Sequence, residues 1–281
     1  MKNNAKSDYT IRNYDKLLRH ISKYADLDNP EEVKRFIANK PTSNGHKKNL
    51  SLAYNKYCEY YKLVWELPEY KQEPKQIRIP TKEQVETLCA SAGRVNSVKL
   101  TLSKETGLRP VELCNLRVKD VDLERKIVYP TTAKHGAGRA LKISNSLQQS
   151  IKDHILTHDL NPADKLFKGD AENYGKHYRA HRNKLAKKLN KPELRLIRLY
   201  DFRHYFATTL YAKTRDILLV KQQMGHKKIE TTLIYTQLLN LSEDEWTCKA
   251  TNNKEEAIKL VENGFQFVND IDGYKLYRKR K

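Results

Sequence analysis

The chain has 281 residues, enough for one large domain or two of ordinary size. Its 54 Lys and Arg against 34 Asp and Glu give a net charge of +20, which points to a polyanionic partner. Mixed charges and 17 tyrosines argue against wholesale disorder, and no apolar run is long enough to span a bilayer. The start, MKNNAKSDYT, lacks the apolar region of a signal peptide, so a cytoplasmic protein with no membrane association is expected. Cys58, Cys89, Cys114 and Cys248 lie far apart with no C-x-x-C pair, which favours reduced thiols over a zinc ribbon or a disulfide scaffold.

Residues 1–65 read as a small helical domain. Ile11, Tyr14, Leu17, Leu18, Ile21 and Tyr24 form one helical stripe. Asn29-Pro30-Glu31-Glu32 is a helix start, with proline early and acids in the first turn, and it leads into Val33, Phe36 and Ile37. A third helix, from Leu50 to Val64, carries Tyr54, Tyr57, Tyr60, Tyr61 and Val64. Residues 66–80, broken by prolines and rich in charge, read as an extended linker.

Thr81-Lys82-Glu83-Gln84 is a capping box that opens a second domain over 81–246. The charge excess is +6 over 1–80 and +11 over 81–246, so both domains suit contact with one duplex. Arg125 to Ser144 reads as a hairpin whose turn is Lys134-His135-Gly136-Ala137-Gly138; everything beside it reads as helix. The tail, 247–281, is expected to hold a helix over Glu255–Asn263. A hairpin, Phe265–Asp270 and Tyr274–Arg280, should turn at Asp272-Gly273.

Within 81–246 four segments carry the chemistry. In Thr106-Gly107-Leu108-Arg109-Pro110-Val111-Glu112-Leu113, Arg109 stands at a helix mouth where an anion is welcome, with Glu112 on the same face to orient it. Lys134 sits at the hairpin tip. Arg203 and His204 lie among apolar and aromatic residues in Leu199-Tyr200-Asp201-Phe202-Arg203-His204-Tyr205-Phe206. His226 follows Gly225, a helix C-terminal glycine, and Tyr235 lies on the next short helix. Taken singly, each also fits a bland role: a surface ion pair, a solvated turn, a core histidine or tyrosine.

Together, TGLRPVEL, AKHGAGR, YDFRHYFAT and MGHKKIETTLIY, in that order, resemble the tyrosine recombinases, the phage-type integrases and Xer-type recombinases. The resemblance covers about 81–240. It implies a mainly α fold with a small β-sheet, arranged as a two-domain C-shaped clamp: a helical core-binding domain followed by the catalytic domain. It further implies a site-specific enzyme that cuts and rejoins double-stranded DNA through a 3′-phosphotyrosyl intermediate and a Holliday junction. Such an enzyme works as a tetramer on paired sites, without metal or cofactor; accessory DNA-bending proteins are left open.

Carried over by position, Tyr235 would be the nucleophile, and Arg109, Arg203 and His226 would hold the phosphate. Lys134 would protonate the leaving oxygen, and Glu112 would support Arg109. One position departs from the family: Tyr200 stands where His-x-x-Arg has its histidine; it is counted with the catalytic residues because a phenol can still donate to the phosphate, but activation of Tyr235 would pass to His204, His226 or electrostatics alone. A type IB topoisomerase-like enzyme and a non-catalytic DNA-binding protein of the same fold are the alternatives; an RNA-binding protein lacks its usual motifs.

Overall fold

The computed structural model of the chain describes residues 8–71, 77–132, 137–239, 246–271 and 273–280. By contacts it divides into two units, 1–77 and 78–281. The fold is mainly α, with two small antiparallel sheets among the described residues. No helix among these residues is long and apolar enough to cross a membrane.

The first unit holds α1 (Asp8–Ile21), α2 (Pro30–Asn39) and α3 (Asn44–Tyr61). The side chain of Asn29 accepts the Glu32 amide and Pro30 takes the first helical position, as the sequence pattern anticipates. Ile21, Val33, Ile37, Leu50, Tyr54 and Cys58 form the core, and the Tyr54 hydroxyl donates to the Leu27 carbonyl at 2.8 Å. The third expected helix is α3, which ends at Tyr61, short of Val64. Leu50, Ala53, Tyr54 and Cys58 make its buried face, while Tyr60, Tyr61 and Val64 are exposed. Positions 50, 54 and 58 repeat every four residues and so share one helical face; Tyr60 lies on another face, Tyr61 is the last residue of the helix, and Val64 lies beyond it. Trp65 and Tyr70 pack on the same core, and the Asn44 side chain donates to the Lys71 carbonyl at 2.9 Å. The first part of the expected linker is therefore a strap on the helical unit.

In the second unit, the Thr81 hydroxyl accepts the Gln84 amide and Gln84 returns the bond to the Thr81 amide, which starts α4 (Lys82–Ala90). There follow α5 (Arg94–Thr106), α6 (Pro110–Asn115), β1 (Val121–Asp122), β2 (Ile127–Val128), β3 (Leu141–Lys142), α7 (Asn145–Thr157), α8 (Ala171–Lys188), α9 (Asp201–Thr214), α10 (Ile217–Met224) and α11 (Glu230–Leu239). The core gathers Leu88, Leu100, Leu102, Leu113, Phe167 and Phe202. A second cluster joins Ala207, Val220, Met224 and Tyr235, so α11 is held by apolar packing against α9 and α10.

The expected hairpin is present as β2 and β3, paired Ile127↔Lys142 and Val128↔Leu141. β1, in a stretch read as helical, adds a third strand to it. Two residues are too few to give an alternating signature, which is why β1 was not legible. The tail contains the predicted helix as α12 (Lys254–Glu262) and the predicted hairpin as β5 (Gln266–Ile271) and β6 (Tyr274–Arg280). An unforeseen strand, β4 (Trp246–Thr251), pairs with β6, giving the order β4-β6-β5.

Candidate active site

Backbone turns set the side chains in place. Gly107 ends α5 in the left-handed conformation (φ +61°), and Arg109 precedes Pro110 at the mouth of α6. The Arg109 amide donates to Glu112 Oε2 at 2.9 Å, and its guanidinium donates to Glu112 Oε1 at 2.8 Å. Glu112 is buried and receives a second guanidinium, from Arg139, at 2.6 Å. Burial alone would raise this carboxyl, but the bonds from Arg139 and Arg109 outweigh it and hold it down at about 2.

Arg203, almost fully buried on α9, ties two loops together. It donates to the Gly107 carbonyl at 2.6 Å, to the Met224 carbonyl at 2.5 Å, and to His226 Nε2 at 3.2 Å. Burial, and then the charge of Arg109, bring its guanidinium down to about 10, so it stays charged at neutral pH. His226 follows Gly225, which caps α10 with φ +61°. Because arginine can only donate, His226 Nε2 is an acceptor here, and Nδ1–H donates to Thr232 Oγ1 at 2.9 Å. Burial, then the charges of Arg203, Arg109 and Arg139, push His226 down to about 4. It is a neutral imidazole.

Tyr235 is buried on α11, and its hydroxyl lies 3.1 Å from His204 Nδ1. Burial pushes the phenol up to about 12 and lowers His204 below its ordinary value, so both are neutral at pH 7. A neutral histidine facing a phenol has the composition of a base and its nucleophile. Tyr200 is half-exposed at the start of α9, its ring edge-on to His204 with centroids 5.3 Å apart.

Arg109, Glu112, Arg203, His204, His226 and Tyr235 thus come from three separated segments into one neighbourhood, with Tyr200 at its edge. Lys134 lies outside the described residues. Two further residues of this neighbourhood are Arg139 and Thr232. Both stand inside the quoted motifs, but nothing in composition marks that arginine as buried or that threonine as the partner of a histidine.

Residues 78–241 match the phage integrase family. The chain belongs to this family. Its members are enzymes that cleave and rejoin DNA, and site-specific recombination or integration is favoured over the topoisomerase-like and non-catalytic readings. A curated relative, the tyrosine recombinase XerA of Pyrococcus horikoshii, is 26% identical over 265 residues, which cover 92% of this chain and 90% of that one. The integrase of transposon Tn1549, solved in complex with transposon right end DNA, is similar in fold. It gives a TM-score of 0.60 at 17% identity and covers 92% of this chain and 95% of that one. The XerH site-specific recombinase, in a pre-cleavage complex with its difH substrate, gives a TM-score of 0.54 at 22% identity, covering 74% and 67%.

Proposed function

We propose that the chain binds double-stranded DNA and exchanges strands with Tyr235 as nucleophile. The observation that carries this reading is the pairing of the Tyr235 hydroxyl with His204 Nδ1, beside Arg203, which holds the Gly107 carbonyl, and Arg109, which is held by Glu112. The tyrosine oxygen attacks a backbone phosphorus as its proton passes to His204. The bond to the 5′ oxygen breaks, and the 3′ phosphate stays on the protein as a phosphodiester of tyrosine. That linkage keeps the bond energy, so rejoining by an incoming 5′ hydroxyl needs no nucleotide cofactor.

Arg109 and Arg203 face the charge that builds on the non-bridging oxygens, and the planar guanidinium fork suits two of them at once. His226 Nε2 becomes a donor only when substrate arrives. With Nε2 turned to Arg203 it must gain a proton or exchange tautomer to donate, and an adjacent phosphate anion favours both changes. Lys134 is proposed, from its place in the family motif, to protonate the departing 5′ oxygen. Tyr200 cannot serve as a base near neutrality; its ring braces His204 instead, which supports His204 in the role the usual histidine would fill.

Two such cleavages on paired sites, made within a tetramer, would lead through a Holliday junction to integrated, excised or resolved DNA. The test uses nicked duplexes bearing a selected site, so that cleaved product diffuses away and the adduct is trapped. Adduct on the 3′ side of the cut is expected; adduct on the 5′ side, or none with any selected duplex, overturns the reading.

A further inference from the structure

We propose that Arg139 is a positioning residue of the cleavage site, holding Glu112 against Arg109 while bracing the Gly225–His226 turn. This inference rests on the phosphoryl-transfer reading above. Arg139 lies in the return arm of the Lys134 hairpin, just before β3, and its side chain is fully buried. Its Nη2 meets Glu112 at 2.6 Å, and the other Glu112 oxygen meets Arg109 at 2.8 Å. A Cβ on Gly225 would stand 2.8 Å from Arg139 Nη1 and 3.1 Å from the Ala137 carbonyl, so the hairpin arm and the His226 turn are in direct contact. One guanidinium therefore touches three segments: the hairpin, the Arg109 turn and the His226 turn.

Stability alone is a poor reason for an arginine in this place. Buried ion pairs contribute little over apolar residues of the same volume. Moreover Arg139 Nε and Nη1 have no hydrogen-bond partner among the described residues, and unmet buried donors are destabilising. What the residue does supply is geometry. Glu112 carries one carboxylate between two arginines, so the position of Arg139 fixes where Arg109 can point. The Gly225 contact ties His226 to the same frame, and with it Arg203, which bonds both His226 and the Met224 carbonyl. Displacements of about 1 Å in such a frame are enough to slow a reaction about 100-fold.

The experiment compares Arg139→Met and Arg139→Lys, each with and without Glu112→Gln. Supercoiled plasmid is the substrate, with SDS-trapped adduct rate, DNA affinity and Tm as readouts. Arg139→Met is expected to slow adduct formation about 100-fold with DNA affinity unchanged, and Arg139→Lys to recover part of the rate. Adding Glu112→Gln to Arg139→Met should cost little more, because both act through one carboxylate. A pH profile separates positioning from a purely structural role. With Arg139 gone, Glu112 loses the strongest of the contacts that hold its carboxyl low. The acid limb of the adduct rate should then begin at a higher pH in Arg139→Met than in the wild type.

A folded Arg139→Met that reacts at the wild-type rate, or strictly additive losses with Glu112→Gln, would overturn the proposal. If Arg139→Met does not fold, the Arg139→Lys pair with Glu112→Gln decides by the same additivity. A wild-type protein that forms no Tyr235-dependent adduct overturns the underlying reading, and the positioning role with it. That result is distinct from a reactive wild type matched by its Arg139 variants.

Discussion

His204 Nδ1 lies 3.1 Å from the Tyr235 hydroxyl, inside a pocket that keeps both groups neutral. A phenol pushed up to about 12 does not ionise unaided at pH 7, so attack requires a proton acceptor at this distance. His204→Gln should therefore slow cleavage about 100-fold, the scale of general-base assistance, with DNA affinity unchanged. The wild-type rate should fall on the acid side with a midpoint below 6.5, since burial lowers His204 and only its neutral form accepts a proton. Single-turnover cleavage against pH checks this: the acid limb disappears in His204→Gln.

Arg203 donates to carbonyls on two different loops, Gly107 and Met224. Lysine keeps the charge but cannot span both acceptors with a rigid fork. Arg203→Lys is expected to reduce the cleavage rate about 100-fold or more and to lower Tm, because buried carbonyls lose their donor. Calorimetry and adduct kinetics on the same preparation would measure the two effects together.

Gly107 supplies the turn that sets Arg109. With φ at +61°, a Cβ there would stand 2.5 Å from Phe206 Cδ1, closer than carbon atoms approach. Left-handed strain and ring displacement together should make Gly107→Ala destabilising by about 3 kcal/mol, read from chemical denaturation. An unchanged midpoint would show that the α5–α6 turn is not held as described.

The buried site also sets the response of folding to acid. The folded value of His226, about 4, lies below its ordinary 6.5, so the unfolded chain takes up that proton first. Its contribution is complete above pH 6.5 and is lost as pH falls toward 4. Glu112, held at about 2 against an ordinary 4.5, contributes fully above 4.5 and loses its share as pH falls toward 2. Tm should decline from pH 6.5 downward, and His226→Gln should flatten the upper part of that decline.

Much of this was legible before the structure. Proline at Pro30 and Pro110, the Thr81–Gln84 box and the helix-ending Gly107 and Gly225 are local signals, and each fixes an element boundary by its own backbone chemistry. Arg109, Glu112, Arg203, His226 and Tyr235 were legible because their segments form a spaced pattern. What escaped depended on distant partners. Arg139 finds Glu112 across 27 residues, a distance that no helical or strand period encodes.

On the proposed chemistry, Tyr235 becomes covalently joined to DNA. The most direct measurement incubates the chain with supercoiled plasmid, stops with SDS, digests protein and DNA, and maps the nucleotide-bearing peptide by mass spectrometry, with Tyr235→Phe alongside. Nucleotide mass on the peptide containing Tyr235, absent from a Phe variant that still binds DNA, is the predicted result. Adduct on another residue, or undiminished adduct in Tyr235→Phe, would contradict the assignment.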